Sequence, residues 1–437
     1  MDLALYVMLF FGGLAVTLLI GLPVAIAFTL VNLVGVYFLW GGTIGLGQLI
    51  LSIDSSVSTF ILVPVPMFIL MGTVMFHSGV AYRMIDVLDQ WLGLVAGRLA
   101  VLAVVAGALF ATLTGVAMGS VAMLGSTLVP DMERRGYDRS LALGSVLASG
   151  SLAILIPPSA LAVILASLGK FSVGKLLVGI VVPGILLAVV YATYIVVRCT
   201  LNPSLAPPYT VERRPLRPRL RDTLIYVVPP MSMIVLVIGT IFAGIATPTE
   251  AAAIGALMSF VVAGCYGKLT RPVIKKAVGS ATSLSVMVLI VLTGSAAFSQ
   301  LLSFSGVTPA ITEFATGMDV HPMVVLFMMQ LVVMVLGMFI EQTSIVLVTI
   351  PIFMPIVAAL HWDPIWFGAI MMLNLEMATI TPPFGLSLFV MKGIASADTT
   401  MGDVYRAALP FIALNIVVMV LMIVFPEIVL WLPGRMN

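Results

Sequence analysis

The chain has 437 residues, of which 61% are hydrophobic and only 9% are charged. This composition excludes a soluble globular domain and a disordered chain, and it indicates a protein that crosses the membrane many times. The net charge of +2 and the two cysteines give no indication of a nucleic-acid partner, a disulfide or a metal site.

Ten apolar stretches are long enough to cross a membrane, since a span needs roughly 17–25 residues. The first opens the chain without a basic leader or a cleavage site, so we expect a retained helix. The stretch 41–59 is too polar to cross and is expected along the membrane surface. Eight continuous spans lie near residues 3–20, 23–40, 60–79, 176–198, 224–245, 248–266, 280–302 and 408–432.

The two remaining spans, 139–168 and 364–396, each contain a Pro-Pro pair, and we predict that both are broken helices. Each pair removes two amide donors and clashes with the preceding turn. Lipid cannot satisfy the freed carbonyl groups, so such a break is expected against protein or at a wet or ion-binding site. A packing kink is the alternative. However, when the sequence is shifted along itself, Pro157-Pro158 superposes on Pro382-Pro383, and this duplication is typical of a transporter binding site.

The stretches 99–130 and 323–360 are apolar but interrupted near the middle, and we predict a re-entrant helical hairpin in each. The basic residues support this topology, because 17 of the 20 Lys and Arg then fall on one side. Only Lys170, Lys175 and Arg435 fall on the other side. The crowded side is cytoplasmic by the positive-inside rule, which places both termini outside the cytoplasm.

The same topology divides the chain into two units of opposite orientation. Residues 60–198 start outside and residues 280–437 start inside, and each unit has a leading helix, a hairpin, a broken helix and a closing helix. Ser78-Gly79-Val80, which ends the first leading helix, recurs as Ser305-Gly306-Val307. The predicted fold class is an all-α polytopic membrane protein with inverted repeats, whose hairpin tips and breaks lie near the midplane. The other segments are scaffold helices with an interfacial segment at 1–59, a cytoplasmic linker at 199–223 and further scaffold helices at 224–279.

Three acidic residues need separate interpretation. The pattern Thr247-Pro248-Thr249-Glu250 favours a helix capping box over an ion site. Glu341 lies at the second hairpin tip and Glu376 lies just before the second break, and acids within a membrane are functional by default. The alternative is that each acid hydrogen-bonds freed backbone amides. The sequence leaves both possibilities open for both residues, and proton coupling through either of them as well.

The expected midplane elements contain no Lys or Arg. A carboxylate substrate is therefore expected to be held by helix N-termini, amides, hydroxyls and bound cations. Oxygen- and glycine-rich clusters at both tips and both breaks suit a hard cation such as sodium, although a single Ser or Thr more often serves helix packing. These clusters comprise Thr114, Gly115, Gly119, Ser120, Ser149, Gly150, Ser151, Thr343, Ser344, Asn374, Thr379 and Thr381.

Four motifs resemble the large membrane subunit of TRAP (tripartite ATP-independent periplasmic) transporters, and the resemblance covers essentially the whole chain. It implies an elevator-type, sodium-driven symporter in a bacterial inner membrane, with no cofactor besides sodium. It also implies a small four-helix membrane subunit and a soluble periplasmic protein that delivers a carboxylate-bearing solute. The motifs are Gly-Ile-Ala-Thr-Pro-Thr-Glu-Ala-Ala from Gly244, Arg135-Gly136-Tyr137, Ile-Leu-Ile-Pro-Pro-Ser from Ile154, and Ile-Thr-Pro-Pro-Phe-Gly-Leu-Ser-Leu-Phe from Ile380.

The resemblance further implies two sodium sites, each between a hairpin tip and its neighbouring break. The first maps onto Gly115, Gly119, Ser120, Ser149, Gly150 and Ala153. The second maps onto Glu341, Thr343, Ser344, Asn374, Ala378 and Thr379. The substrate-binding residues expected beside them are Ser120, Ser151, Pro157, Thr343, Thr381 and Pro382.

Two positions depart from the family pattern. Val116-Ala117 stands where a Ser-Ser pair is common, which leaves only backbone carbonyl ligands there. Glu341-Gln342 stands where Asp-Pro is common, which keeps the acid but lengthens it.

The alternative function is a standalone sodium- or proton-coupled anion symporter of the same superfamily, which needs no binding protein. An intramembrane enzyme is not expected, because the sequence has no metal-ligand spacing, paired Asp motif or Ser/His dyad. A passive channel is disfavoured, because inverted repeats around broken helices suit alternating access.

Overall fold

A computed structural model describes residues 3–93, 95–114, 117–207 and 215–436, and all regular elements within these ranges are helical. Six helices of this part are long and apolar enough to cross a membrane. A seventh span results if Leu216–Tyr226 and Val228–Phe242, which meet at a bend of 46°, are counted together. The multi-pass, all-α prediction is therefore confirmed.

The N-terminal part forms two apolar helical segments and a third helix, all of them shorter than the six membrane-length helices. The first segment includes one turn of π-helix, and it is separated from the second by Gly21 in the left-handed conformation (φ 87°) and by Pro23. The stretch that we expected along the membrane surface is the third helix. The elements are α1 (Leu3–Val7), the π-helix Met8–Gly12, α2 (Gly13–Leu19), α3 (Val24–Leu39) and α4 (Thr43–Val57).

The first unit contains eight α-helices and three short 3₁₀ turns, at Phe60–Leu62, Leu152–Ile154 and Pro203–Leu205. The predicted hairpin is built from two helices on either side of residues 115–116, and its second helix runs beyond the predicted end to Arg134. The α-helices are α5 (Pro64–Ser78), α6 (Val80–Trp91), α7 (Arg98–Thr114), α8 (Ala117–Arg134), α9 (Arg139–Ser151), α10 (Ala160–Leu168), α11 (Val173–Gly179) and α12 (Val181–Leu201).

The segment between the units forms α13 (Leu216–Tyr226), α14 (Val228–Phe242) and α15 (Pro248–Cys265). The capping box predicted at the start of α15 is present. The Thr247 amide donates to Glu250 Oε2 at 2.8 Å, and the Glu250 amide donates to Thr247 Oγ1 at 3.3 Å. Glu250 therefore caps a helix, as its spacing predicted.

The second unit repeats the order of elements of the first. Its hairpin is interrupted between residues 337 and 342, and its broken helix is interrupted between 379 and 386. A 3₁₀ turn, Pro433–Arg435, follows the last helix. The helices are α16 (Arg271–Phe304), α17 (Val307–Gly317), α18 (Pro322–Gly337), α19 (Gln342–Ala359), α20 (Pro364–Thr379), α21 (Leu386–Ile394), α22 (Met401–Val424) and α23 (Glu427–Leu430).

The two leading helices, α5 and α16, end in the same way. Gly79 and Gly306 both adopt the left-handed conformation, with φ of 68° and 78°, which a glycine tolerates without steric cost. Each glycine is followed by a short amphipathic helix, α6 in one unit and α17 in the other. These two helices were not among the predicted spans, because they are too short and too polar to cross a membrane.

Three predicted span boundaries are wrong for local reasons. The last span, predicted at 408–432, is α22 and ends at Val424, because Pro426 disfavours helix at the preceding residue. It begins earlier than predicted because Thr400 and Asp403 form a capping box. The leading helix of the second unit starts at Arg271 and not near 280, with Pro272 in its first turn, where proline is well tolerated.

The helices pack into two groups. The leading helices α5 and α16 pack against each other, while α5 also contacts α15 and α16 also contacts α3. The interrupted helices pack among themselves, with α9 against α7, α8 and α22, and α20 against α18 and α22. This arrangement buries the first Pro-Pro pair, whereas at the second pair Pro382 is half-buried and Pro383 is exposed.

Candidate functional site

The first break separates α9 from α10. After Ser151 a single 3₁₀ turn leads into the irregular residues around Pro157 and Pro158, both of which are buried. Ser159 caps α10, because its hydroxyl accepts a hydrogen bond from the Ala162 amide at 3.4 Å. The C-terminal end of one half-helix and the N-terminal end of the other therefore meet at this break.

At the second break, between α20 and α21, side-chain hydroxyls donate hydrogen bonds to backbone carbonyl oxygens near the end of α20. Thr381 Oγ1 donates to the Met377 carbonyl oxygen at 2.8 Å, and Thr379 Oγ1 donates to the Glu376 carbonyl oxygen at 2.8 Å. These bonds satisfy carbonyl groups that lipid could not satisfy. Thr381 is buried and Pro382 is half-buried. The Pro-Pro peptide bonds of both breaks are cis.

The first hairpin packs on the first break through glycines. A Cβ atom on Gly150 would lie 2.3 Å from Val121 Cγ2 and 2.8 Å from the Val121 nitrogen, so α8 contacts α9 backbone to backbone. A Cβ atom on Gly107 of α7 would lie 2.5 Å from the Ser149 carbonyl oxygen. The structure thus brings the predicted residues Ser149 and Gly150 against the hairpin, close to its tip.

The remaining residues predicted for the first sodium site have different surroundings. Ser120, Ser149 and Ala153 are fully buried, whereas Gly119 is half-buried and a Cβ atom there would meet no atom within 4 Å. Gly115 lies outside the described residues. The Ser149 hydroxyl donates to the Val146 carbonyl oxygen at 3.0 Å, which leaves the lone pairs of Ser149 Oγ available to a cation.

The second hairpin also contacts its break at a glycine. A Cβ atom on Gly337 would lie 2.2 Å from Ala378 Cβ, which brings the end of α18 onto the predicted residue Ala378. Asn374 Nδ2 donates to both the carbonyl oxygen and Oε1 of Gln330, at 2.7 and 2.9 Å. Asn374 therefore binds the middle of α18, a partner that the sequence did not predict.

The residues at the second tip form their own contact. Thr343 Oγ1 donates to Glu341 Oε1 at 2.8 Å, and both side chains are half-buried. Ser344 is buried one position further into α19. The Glu341 side chain is therefore less buried than that of Glu376, which is fully buried in α20.

The half-helices that precede the two breaks, α9 and α20, contact each other through Ser151 and Glu376. Ser151 Oγ lies 3.1 Å from Glu376 Oε1, and Tyr191 of α12 donates to the same oxygen at 3.4 Å. Asn415 of α22 donates to the Tyr191 hydroxyl at 2.7 Å. All four side chains are fully buried. The shift that superposes the two Pro-Pro pairs also superposes Ser151 on Glu376, so two equivalent positions contact each other.

The ends of the interrupted helices are also linked across the units. Arg139, the first residue of α9, forms an ion pair with Asp398, which follows α21. Ser396 donates to Glu133 Oε1 of α8 at 3.2 Å. The hydrogen bond from Arg139 holds the pKa of the exposed Asp398 carboxyl below its usual value. These contacts tie the segment after the second break to the first unit.

A cavity of about 490 Å³ borders the interrupted helices on the side of α4 and α16. Its polar lining comes from both groups of helices and includes Ser55, Ser56, Ser167, Lys170 and Gln300. A mostly apolar cavity with several polar lining residues therefore lies between parts of the leading-helix group and the group that carries the breaks.

The sequence did not predict a role for Gln330. Ser151 and Glu376 were named separately, but the sequence did not predict that they form one cluster with Tyr191 and Asn415. One signal was available, because the shift that aligns the Pro-Pro pairs superposes Ser151 on Glu376. The same shift places Tyr191 at the position directly after Asn415. The sequence contains no comparable signal for Gln330.

A model of the protein family described as "Tripartite ATP-independent periplasmic transporter, DctM component" matches residues 11–428. The chain is 34% identical over 383 residues to the C4-dicarboxylate TRAP transporter large permease protein DctM of Pseudomonas aeruginosa, covering 86% of both chains. It is 28% identical over 434 residues to the isethionate TRAP transporter permease protein DctMQ of Oleidesulfovibrio alaskensis. That match covers 97% of this chain and 66% of the relative.

Among solved structures, the YdaH transporter of Alcanivorax borkumensis has a similar fold. The TM-score is 0.66 at 15% sequence identity, and the match covers 93% of this chain and 98% of the other. At this identity the similarity concerns the fold alone.

Proposed function

The chain belongs to the DctM family, the permease component of tripartite ATP-independent periplasmic transporters, and we propose that it couples sodium entry to the uptake of a small carboxylate-bearing solute. It is therefore a transporter subunit and not an enzyme. The observation that carries the proposal is the contact between the half-helices that precede the two breaks, where Ser151 Oγ lies 3.1 Å from Glu376 Oε1. Broken helices from two halves that meet inside the protein are typical of transporter binding sites.

The names of the relatives specify C4-dicarboxylates, isethionate and ectoine. The C4-dicarboxylate relatives support a carboxylate-bearing solute for this chain. Residues 99–130, 140–168, 323–360 and 364–391 contain no Lys or Arg. The negative charge would therefore be held by helix N-termini, hydroxyls and co-bound cations. The substrate-binding residues that we propose remain Ser120, Ser151, Pro157, Thr343, Thr381 and Pro382.

We propose an elevator-type mechanism in which the interrupted helices move as one body past the leading helices. The packing supports this division, since α9 and α20 contact mainly other interrupted or closing helices, while α5 and α16 contact each other. In this mechanism α7 with α8, and α18 with α19, are re-entrant hairpins of two oppositely oriented repeats. Their glycine contacts with the breaks would open and close during transport.

The two proposed sodium sites are tested through Ser120 and Ser149. Replacing either with alanine removes one buried oxygen, a change of about 1 kcal/mol in a typical polar interaction. We expect Ser120→Ala or Ser149→Ala to raise the sodium concentration for half-maximal uptake severalfold without lowering the protein yield. Uptake measured over a range of sodium concentrations in proteoliposomes gives this value.

Ser145→Ala is the matched control for this measurement. Ser145 is buried in α9, one turn before Ser149, and donates to the Ala142 carbonyl oxygen at 3.2 Å. Its replacement should leave the sodium dependence unchanged. Equal sodium dependence of wild type, Ser120→Ala and Ser149→Ala would contradict a sodium site at the first break.

A standalone symporter is the second candidate function. The YdaH transporter is matched over 98% of its length, but this likeness concerns the fold alone and does not distinguish the two candidates. The tripartite assignment rests on closer relatives, and the name DctMQ indicates one chain that joins a DctM part to another part. We therefore propose a small membrane subunit and a periplasmic binding protein as partners, in a bacterial inner membrane.

A further inference from the structure

Two neighbouring cavities on the side of α4 and α16 share three polar lining residues. The cavity of about 490 Å³ described above and a second cavity of about 900 Å³ are both lined by Lys170, Ser299 and Gln300. Lys170 follows α10, one of the interrupted helices, whereas Ser299 and Gln300 belong to the leading helix α16. The shared residues therefore connect the two cavities and come from both groups of helices.

The lining of the two cavities carries a positive charge that no acid balances. Among the described residues that line them, Lys170 is the one charged side chain, and no Asp or Glu contributes. The ion pairs in the described ranges do not include Lys170 either. A cleft that carries charge of one sign raises the local concentration of ions of the opposite sign. The cavities therefore attract anions.

The side chains of the three shared residues are available to a ligand. Within the part of the chain that the structure describes, none of them makes a hydrogen bond or an ion pair. Lysine, glutamine and serine side chains all carry hydrogen-bond donors, and the oxygens of a carboxylate are acceptors. A bond from an ammonium group to a carboxylate is also strengthened by charge. This set of donors fits a small carboxylate anion.

The backbone at Lys170 favours glycine over lysine. Its φ is 56°, in the left-handed region that glycine usually occupies after a helix. The turn is closed by the Phe171 amide, which donates to the Ala166 carbonyl oxygen at 3.1 Å. The Lys170 side chain is exposed, so neither the turn nor core packing requires a lysine here. A non-glycine residue in this conformation is a reason to look for a function of its side chain.

The two cavities extend from one end of α16 toward its middle. Their lining runs along this helix from Phe304, its last residue, back to Leu292, which is about 18 Å away at 1.5 Å per residue. It also includes Pro351 of α19, in the second hairpin. In the predicted topology this end of α16 is extracytoplasmic. The cavities then lead from that side toward the second hairpin.

We propose that Lys170, Ser299 and Gln300 form an entry site, which binds a carboxylate group of the solute on the extracytoplasmic side before the solute reaches the breaks. The entry site rests on the proposed function in that the bound anion is taken to be the transported solute. It is separate from the substrate-binding residues proposed at the tips and breaks, and it supplies a positive charge that those elements lack.

Cysteine labelling of the purified full chain in detergent tests the charge at the entry site. Cys199 and Cys265 are replaced by alanine, and Ser303→Cys is the reporter, because Ser303 is exposed, lies one turn after Ser299 and lines the larger cavity. The reagents are a sulfonate-bearing methanethiosulfonate and its trimethylammonium analogue, each rate being divided by that of the same reagent with a free thiol. We expect a preference for the anionic reagent. Lys170→Gln should lower it about tenfold, and Lys170→Arg should keep it.

Lys175→Gln is the matched control. Lys175 is exposed on α11, falls on the same side of the membrane in the predicted topology, and lines neither cavity. Its replacement removes the same charge and should leave the preference unchanged. Sodium acetate and sodium succinate should slow the anionic reagent severalfold more than sodium chloride at equal ionic strength. This protection should be lost in Lys170→Gln.

An unchanged preference in Lys170→Gln would overturn the proposal. So would the absence of labelling by both reagents, since the cavity would then be closed to water. Protection by neither carboxylate, or by added phosphatidylglycerol alone, would also overturn it, and in the second case the space would hold a lipid headgroup. The labelling requires no transport. A failure of uptake would therefore leave it unchanged, and the two hypotheses can be rejected separately.

Discussion

The purified chain in liposomes is expected to show negligible solute uptake, even with a strong inward sodium gradient. Between its described membrane helices the chain has room only for short helices such as α6 and α17, of 12 and 11 residues. A soluble capture domain needs at least about 50 residues. Capture from a dilute periplasm is therefore not a task for the segments between these helices, and we assign it to the proposed binding protein.

Uptake should appear only when a binding protein and a small membrane subunit are both added. The expected change is from the background of empty liposomes to a clear sodium-dependent rate, which makes it the largest effect that we predict. Liposomes with each partner left out in turn are the controls. Substantial sodium-driven uptake by this polypeptide alone would instead support the standalone symporter.

The second large effect on uptake is expected from substituting the glycines at which the two hairpins pack closely against the broken helices. Gly150→Ala would place a methyl group 2.3 Å from Val121 Cγ2, and Gly337→Ala would place one 2.2 Å from Ala378 Cβ. Overpacking of this kind typically costs about 1–3 kcal/mol. Because the close atoms at Gly150 include backbone, the hairpin must shift. We expect each variant to lower sodium-dependent uptake about tenfold or more, since about 1.4 kcal/mol corresponds to a factor of ten.

Gly393→Ala is the matched control for these variants. Gly393 lies in α21 of the same group of helices, and a Cβ atom there would meet nothing within 4 Å. It should transport at the wild-type rate, and all three variants should be compared at equal amounts of inserted protein. Normal uptake by both Gly150→Ala and Gly337→Ala would show that transport does not require close packing of the hairpins against the broken helices.

The broken helices could be predicted from the sequence because local chemistry determines them. The first was predicted over 139–168 and is observed from Arg139 to Leu168. Its start is fixed by Asp138, whose side chain accepts from the Leu141 amide at 3.0 Å, and its interruption is fixed by the Pro-Pro pair. The interruption between α18 and α19 was predictable for a similar reason, since polar residues interrupt an otherwise apolar stretch there. That the two stretches are re-entrant hairpins stays a prediction.

The contacts between elements could not be predicted in the same way. Gln330 reaches Asn374 only because of the rotation of α18 about its axis, and no local pattern determines that rotation. When the sequence is shifted so that the two Pro-Pro pairs superpose, Ser151 also superposes on Glu376, which was a signal for their pairing. However, equivalent residues meet only where the two halves contact each other, and the position of that contact depends on the packing of both units.

The opposite orientation of the two units is the central claim, and impermeant cysteine labelling tests it most directly. Single cysteines would be placed at exposed positions, as Asp319→Cys before α18 and as Arg217→Cys in α13, after replacing Cys199 and Cys265 with alanine. In intact spheroplasts we expect labelling of the first position and not of the second. Both should be labelled after the membrane is permeabilised. Labelling of position 217 but not of position 319 in intact spheroplasts would contradict the inverted arrangement on which the transport site depends.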